Sequence, residues 1–131
     1  MEELYNLGIS ENTINDMIMI NNELSSLSKE EIIEKENILR SINCDETQIM
    51  NIISSNSIFL SRTNSEVTKL LNYLINLGFT TLNILIDSNP DILNLDIFEI
   101  EKYIKKRIDA DENLETIIDE LDSKPYLFNE L

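Results

Sequence analysis

Leu7-Gly8-Ile9, Ile42-Asn43-Cys44 and Leu77-Gly78-Phe79 stand 35 residues apart, each a small or polar residue between two apolar ones. Gly or Asn is what a helix needs when its last turn ends in a left-handed residue, so each triplet reads as a helix stop. Ile14, Ile49 and Ile84 keep the same interval, and the capping sequences at Ser28, Thr63 and Asp96 follow at 35 and 33. Asn89-Pro90-Asp91-Ile92-Leu93 returns loosely 35 residues later as Lys124-Pro125-Tyr126-Leu127-Phe128. A period of this size marks stacked supersecondary units, each too small to bury its own apolar face. The unit is helix, short apolar connector, helix and stop, and about three and a half of them fit in 131 residues.

Each unit carries its own helix-start chemistry. Ser28-Lys29-Glu30-Glu31 and Thr63-Asn64-Ser65-Glu66 have capping-box form, Asp96-Ile97-Phe98-Glu99 has Asp as the cap, and Asp45-Glu46-Thr47-Gln48 is the Gln version. Ser10 and either Thr80 or Thr81 are simple N-cap candidates. Seven apolar stripes follow at helical spacing, beginning at Ile14, Ile32, Ile49, Val67, Leu82, Ile97 and Leu114. They predict seven helices of roughly 9–15 residues. Two glycines and two prolines leave little for the tight turns of a sandwich or barrel. The expected fold is all-α, about seven short helices in stacked helical-hairpin repeats of 33–35 residues, forming one domain over residues 1–131.

Charge restricts function. Twenty-five acidic residues face ten basic ones, a net −15. A chain so acidic repels nucleic acid and anionic membrane and attracts basic partners. Residues 1–61 hold eleven acidic and three basic residues, residues 62–108 six of each, and residues 109–131 eight acidic and one basic. Acidic ends around a neutral middle suit either the polar caps of a solenoid or a carboxylate surface that imitates a phosphate backbone. Cys44 is alone, so no internal disulfide forms. Met1 to Ile20 carries four acidic residues and no Lys or Arg, unlike a signal or transit peptide, and no apolar run nears the ~18 residues of a membrane span. A cytoplasmic location is expected.

The third unit carries a family resemblance. Leu77-Gly78-Phe79, then Leu82, Leu85 and Ile86, then Asn89-Pro90-Asp91-Ile92-Leu93 and the stripe from Ile97 to Ile108 resemble a repeat of the mitochondrial transcription termination factor (mTERF) family, over about residues 77–111. Pro90 ends the first helix of that unit, because the residue before proline avoids the α region. Ile92 and Leu93 are placed to plug the groove between neighbouring helices. The resemblance implies a helical-repeat fold and nucleic-acid binding along a basic concave face. The nearest basic residues are Lys102, Lys105, Lys106 and Arg107, with Asp96, Glu99 and Glu101 beside them.

Catalysis has little to work with. There is no histidine, and the glycines Gly8 and Gly78 form no phosphate loop, so the chain is expected not to be an enzyme and no cofactor is implied. Asp109, Asp111, Asn113, Glu115 and Glu120 fall at positions 1, 3, 5, 7 and 12 of a calcium-loop template, but Leu114 stands where the loop needs Gly. The aromatics read as scattered, with no basic residues interleaved as a stacking platform requires. The tail Pro125 to Leu131 either packs back on the last helix pair or docks into a partner's groove.

Two functions remain. One is an acidic protein-binding module that engages a protein partner with a basic surface, such as an inhibitor or nucleic-acid mimic acting on a nucleic-acid-processing protein. Its candidate contacts are Glu30, Glu31 and Glu34, and Asp109, Asp111, Glu112, Glu115 and Asp119. The other is a nucleic-acid-binding repeat protein of the termination-factor type.

Overall fold

The computed structural model describes residues 1–131, and every regular element is helical. A single turn, α1 (Glu2–Asn6), comes first. Seven helices follow where the seven stripes place them: α2 (Glu11–Ile20), α3 (Lys29–Ser41), α4 (Glu46–Ser55), α5 (Asn64–Leu77), α6 (Leu82–Ser88), α7 (Ile97–Asp109) and α8 (Leu114–Ser123). The connectors inside the units are 3-10 turns: η1 (Asn22–Ser26), η2 (Ser57–Ser61), η3 (Pro90–Asn94) and η4 (Pro125–Glu130). At seven residues α6 is shorter than expected, closed between the left-handed Gly78 upstream and Pro90 downstream.

The stops work as their residues suggest. Gly8, Asn43 and Gly78 have φ of 92°, 72° and 117°, and Asp111 supplies a fourth at 69°. In each, the residue after the left-handed one donates its N–H back to the last full turn: Ile9 to Leu4, Cys44 to Leu39, Phe79 to Leu74 and Glu112 to Arg107, at 3.1–3.2 Å. This is the Schellman arrangement, which pairs two carbonyls that the helix end leaves open. At the starts, Ser28 and Asp45 form complete capping boxes, Ser10 accepts from Thr13, and Thr63 accepts from Glu66. Thr81 precedes α6 without a side-chain cap.

Three layers result. The first helices α2, α4 and α6 stack in order, the turns η1 to η4 stack beside them, and the second helices α1, α3 and α5 form the third layer. Helix α7 packs chiefly on α8. Thirty buried apolar residues from Leu4 to Phe128 make one continuous core. The turns feed it with Leu24, Phe59, Leu60, Ile92, Leu93 and Phe128. Of the two readings of the tail, packing back is the one observed: Phe128 is buried, with its ring 6.1 Å from that of Phe79.

A ladder of asparagine amides ties unit to unit. Asn21 donates to the Ser57 carbonyl (2.9 Å) and to Ser61 Oγ (2.8 Å). Asn56 donates to the Pro90 carbonyl (2.9 Å) and Asn94 Oδ1 (3.1 Å), and Asn89 repeats this with Pro125 (2.9 Å) and Asn129 (3.1 Å). All three rungs are buried. The corresponding place in the last unit is Lys124, which has no amide, and there the ladder ends. No single helix is long and apolar enough to cross a membrane.

Candidate functional site

The acidic residues singled out in the sequence fall into two groups on different units. Glu30, Glu31 and Glu34 lie exposed at the start of α3. Glu31 closes the Ser28 capping box, and Glu34 accepts from Asn64 Nδ2 (2.5 Å), whose Oδ1 accepts from the buried Lys35 ammonium (2.6 Å). That network joins α3 to α5, and burial pulls the Lys35 pKa down. In the second group, Asp111 is the left-handed stop residue, Asp109 pairs with Lys105 at 3.5 Å, and Glu115 and Asp119 are exposed on α8. Glu112 is held by Arg107, which keeps its carboxyl below the usual range. Several of these carboxylates therefore serve the fold. The calcium-loop pattern does not form a loop, because Leu114 to Ser123 is helix α8 and Glu120 turns to Arg107. No three acidic groups converge in a way that could hold a metal ion.

The cations divide sharply. All three arginines are engaged inside the fold. Arg40 bridges Glu36 (3.3 Å) and Glu46 (3.0 Å), tying α3 to α4. Arg62 donates to the Leu93 carbonyl (2.6 Å) and bridges Asp96 (3.3 Å) and Glu66 (3.6 Å). Arg107 grips Glu112 and Glu120, donates to Tyr103 Oη (2.8 Å) and lies 5.5 Å over the Tyr103 ring. The hydrogen bonds to Glu112 lead in raising its pKa. Arg107 thus belongs to the α7–α8 joint and is withdrawn from the basic cluster seen in the sequence.

Lys29, Lys69, Lys102, Lys106 and Lys124 make no ion pair. Three of them border one surface. Lys102 and Lys106 line a cleft of about 520 Å³ between α7 and the end of η4, together with Tyr103, Ala110 and Leu131. Lys69 lines a second cleft of about 280 Å³ between α5 and α7, with Arg62 and Ile97. Phe98 borders both clefts and is 70% exposed, although α7 buries Ile100 and Ile104. Glu99 and Glu130 also line the larger cleft. Glu99 accepts weakly from the Asp96 N–H (3.4 Å) as part of the helix start.

Here the expectation of scattered aromatics fails. Phe98, Lys102 and Lys106 stand at i, i+4 and i+8, which is one face of one helix. The signal was present in the spacing, and the adjacent acidic residues concealed it. Lys69 could not be added from the sequence, since it reaches this surface only because the fold sets α5 across a cleft from α7. Cys44 is buried and its thiol is pushed up to about 11, mainly by desolvation, so it is no nucleophile.

The model of the mTERF family matches residues 1–118, far beyond the third unit, where the resemblance is clearest. No curated protein and no solved structure matches the chain.

Proposed function

The chain belongs to the mTERF family, and from that premise we propose that it is a non-enzymatic helical-repeat protein that binds nucleic acid through the lysine face of α7. The observation that carries this proposal is the gathering of unpaired cations: Lys69, Lys102 and Lys106 border adjoining clefts. Part of the acidic charge near them is engaged, whereas Glu99 and Glu130 on the larger cleft make no ion pair. Glu66 and Asp96 are held by Arg62, Asp109 by Lys105, and Glu112 and Glu120 by Arg107. The local field on this face is therefore less negative than the net charge suggests, because a screened field reaches only about 10 Å at 0.1 M salt.

Such a site is small. About three phosphate contacts give a slope of roughly −2 to −3 for log K against log salt, and a modest affinity further weakened by the chain's own acidity. Fluorescence anisotropy of labelled oligonucleotides at low salt tests it. Binding should weaken with salt at that slope, and Lys102→Glu with Lys106→Glu should abolish it. Binding unaffected by that pair of changes removes the α7 face from consideration.

A second function rests on a separate observation. Glu30, Glu115 and Asp119 are exposed and make no ion pair, in a chain of net charge −15. They suit charge-steered association with a basic protein partner. Glu30→Lys with Glu115→Lys should then reduce retention of a protein partner that survives nuclease treatment. Retention that is lost with nuclease returns the function to nucleic acid.

A further inference from the structure

Resting on the nucleic-acid proposal above, the geometry points to a single strand, not a duplex, as what the α7 face takes: Phe98 stacks on an unpaired base while Lys69, Lys102 and Lys106 meet the neighbouring phosphates. Phe98 is the reason. It sits in the first turn of α7 as a residue 70% exposed and borders both clefts, Lys69 on one side and Lys102 and Lys106 on the other. An exposed aromatic face flanked by cations is the arrangement by which proteins hold single strands, since every base offers a π-face and stacking tolerates any sequence. A duplex keeps its bases stacked on each other and offers Phe98 nothing comparable.

Room and charge agree. The larger cleft, about 520 Å³, has the size of a small-molecule site and includes a second aromatic, Tyr103, in its lining. From Phe98 to Lys106 the helix rises about 12 Å. Over that length a duplex presents about seven charges, roughly twice as many as one of its strands. The three lysines cannot match seven, and the remaining charges would face an acidic protein. Glu130, exposed where it lines the same cleft, adds to that penalty.

The test is anisotropy at low salt with a labelled oligothymidylate and with the same strand annealed to its complement. The expected result is at least about tenfold tighter binding of the single strand, with Phe98→Leu losing about fivefold or more while its thermal melt stays unchanged. Leucine keeps apolar bulk but has no π-face, so the loss reports stacking. Equal or tighter binding of the duplex, or no effect of Phe98→Leu, overturns the single-strand assignment. If Lys102→Glu still weakens binding in that case, the proposed function stands without it. Failure to bind either probe overturns both.

Discussion

Arg107 and Glu112 occupy, in the fourth helix stop, the two places that Leu74 and Phe79 occupy in the third. Leu4 with Ile9, and Leu39 with Cys44, hold the same places in the first two. In those three stops both residues are buried and apolar, the usual accompaniment of this motif. In the fourth, a guanidinium reaches across to a carboxylate, with Nε to Oε2 at 2.8 Å and Nη2 to Oε1 at 2.5 Å, and takes Glu120 as well. The repeat thus keeps its backbone while exchanging an apolar staple for an ionic one.

The exchange has a pH signature. Glu112 is held below its ordinary value chiefly by the hydrogen bonds from Arg107, so its contribution is present above the unfolded-state value of 4.5 and is lost as pH falls through the lower folded value. Arg107→Leu should lower the melting temperature at pH 7, because it leaves Glu112 and Glu120 without their shared cation. The deficit should shrink as the pH is taken below the carboxylate range. A deficit that stays constant with pH would assign the role of Arg107 to packing of its stem. Charge reversal at Glu112, an attractive probe of an acidic surface, is unsuitable for that purpose because it breaks this joint.

The asparagine ladder is the second point of attack. Asn56 is buried and pairs by both side-chain ends with Asn94, while also donating to the Pro90 carbonyl. Asn56→Ala removes these bonds and strands the Pro90 carbonyl, at a cost of about 1–3 kcal/mol. The exposed Asn51, one helical turn and a residue away, should tolerate alanine within about 0.5 kcal/mol. Chemical denaturation of both variants measures the contrast, and equal stabilities would mean that the ladder is ornamental.

The second helices, the stops and the caps were legible because each is written locally. Ser28 to Glu31, Gly78 and the stripe Val67, Leu70, Leu71 and Leu74 need only their near neighbours to act. The ladder was not legible, because Asn21, Asn56 and Asn89 act on residues 34 to 40 positions away. In the sequence Asn89 is overshadowed by Pro90, and Asn21 and Asn56 are lost among other asparagines. The site divides in the same way. Phe98, Lys102 and Lys106 share a helix face that spacing alone could reveal, whereas the pairing of Arg62 with Asp96 and of Arg107 with Glu120 depends on tertiary packing.

Gly78 tests the stops. Its φ of +117° is a conformation that L side chains rarely adopt, yet a Cβ there would meet no atom within 4 Å. Gly78→Ala therefore carries backbone strain without a clash, and should cost about 1–2 kcal/mol. Asn43, with a φ of 72°, already bears part of that strain, so Asn43→Gly should be neutral or slightly stabilising. Loss of stability in Asn43→Gly equal to that in Gly78→Ala would show that side-chain contacts, not backbone conformation, hold these turns.

Glu36 offers the clearest pH experiment. It lies 2% exposed in α3, and its Oε2 has no hydrogen-bond partner. Burial comes first among the causes that push its carboxyl up to about 7, with Glu3 of α1 adding to the shift and Arg40 opposing it. Arg40 cannot fully compensate, since Glu46 of α4 shares its guanidinium. The folded chain therefore holds a proton that the unfolded chain releases near 4.5. As pH rises from about 4.5 to about 7, this group withdraws stability, because the unfolded state ionises first; above about 7 the loss is complete. Glutamine cannot ionise, and its amide can donate to the Glu3 carboxylate. Glu36→Gln should therefore match the parent chain below about pH 4.5 and exceed it above pH 7, by on the order of 1 kcal/mol. Denaturation midpoints across that window make the comparison. A parallel pH dependence of the two proteins would mean that Glu36 is ionised in the fold at neutral pH, with Arg40 as a sufficient partner.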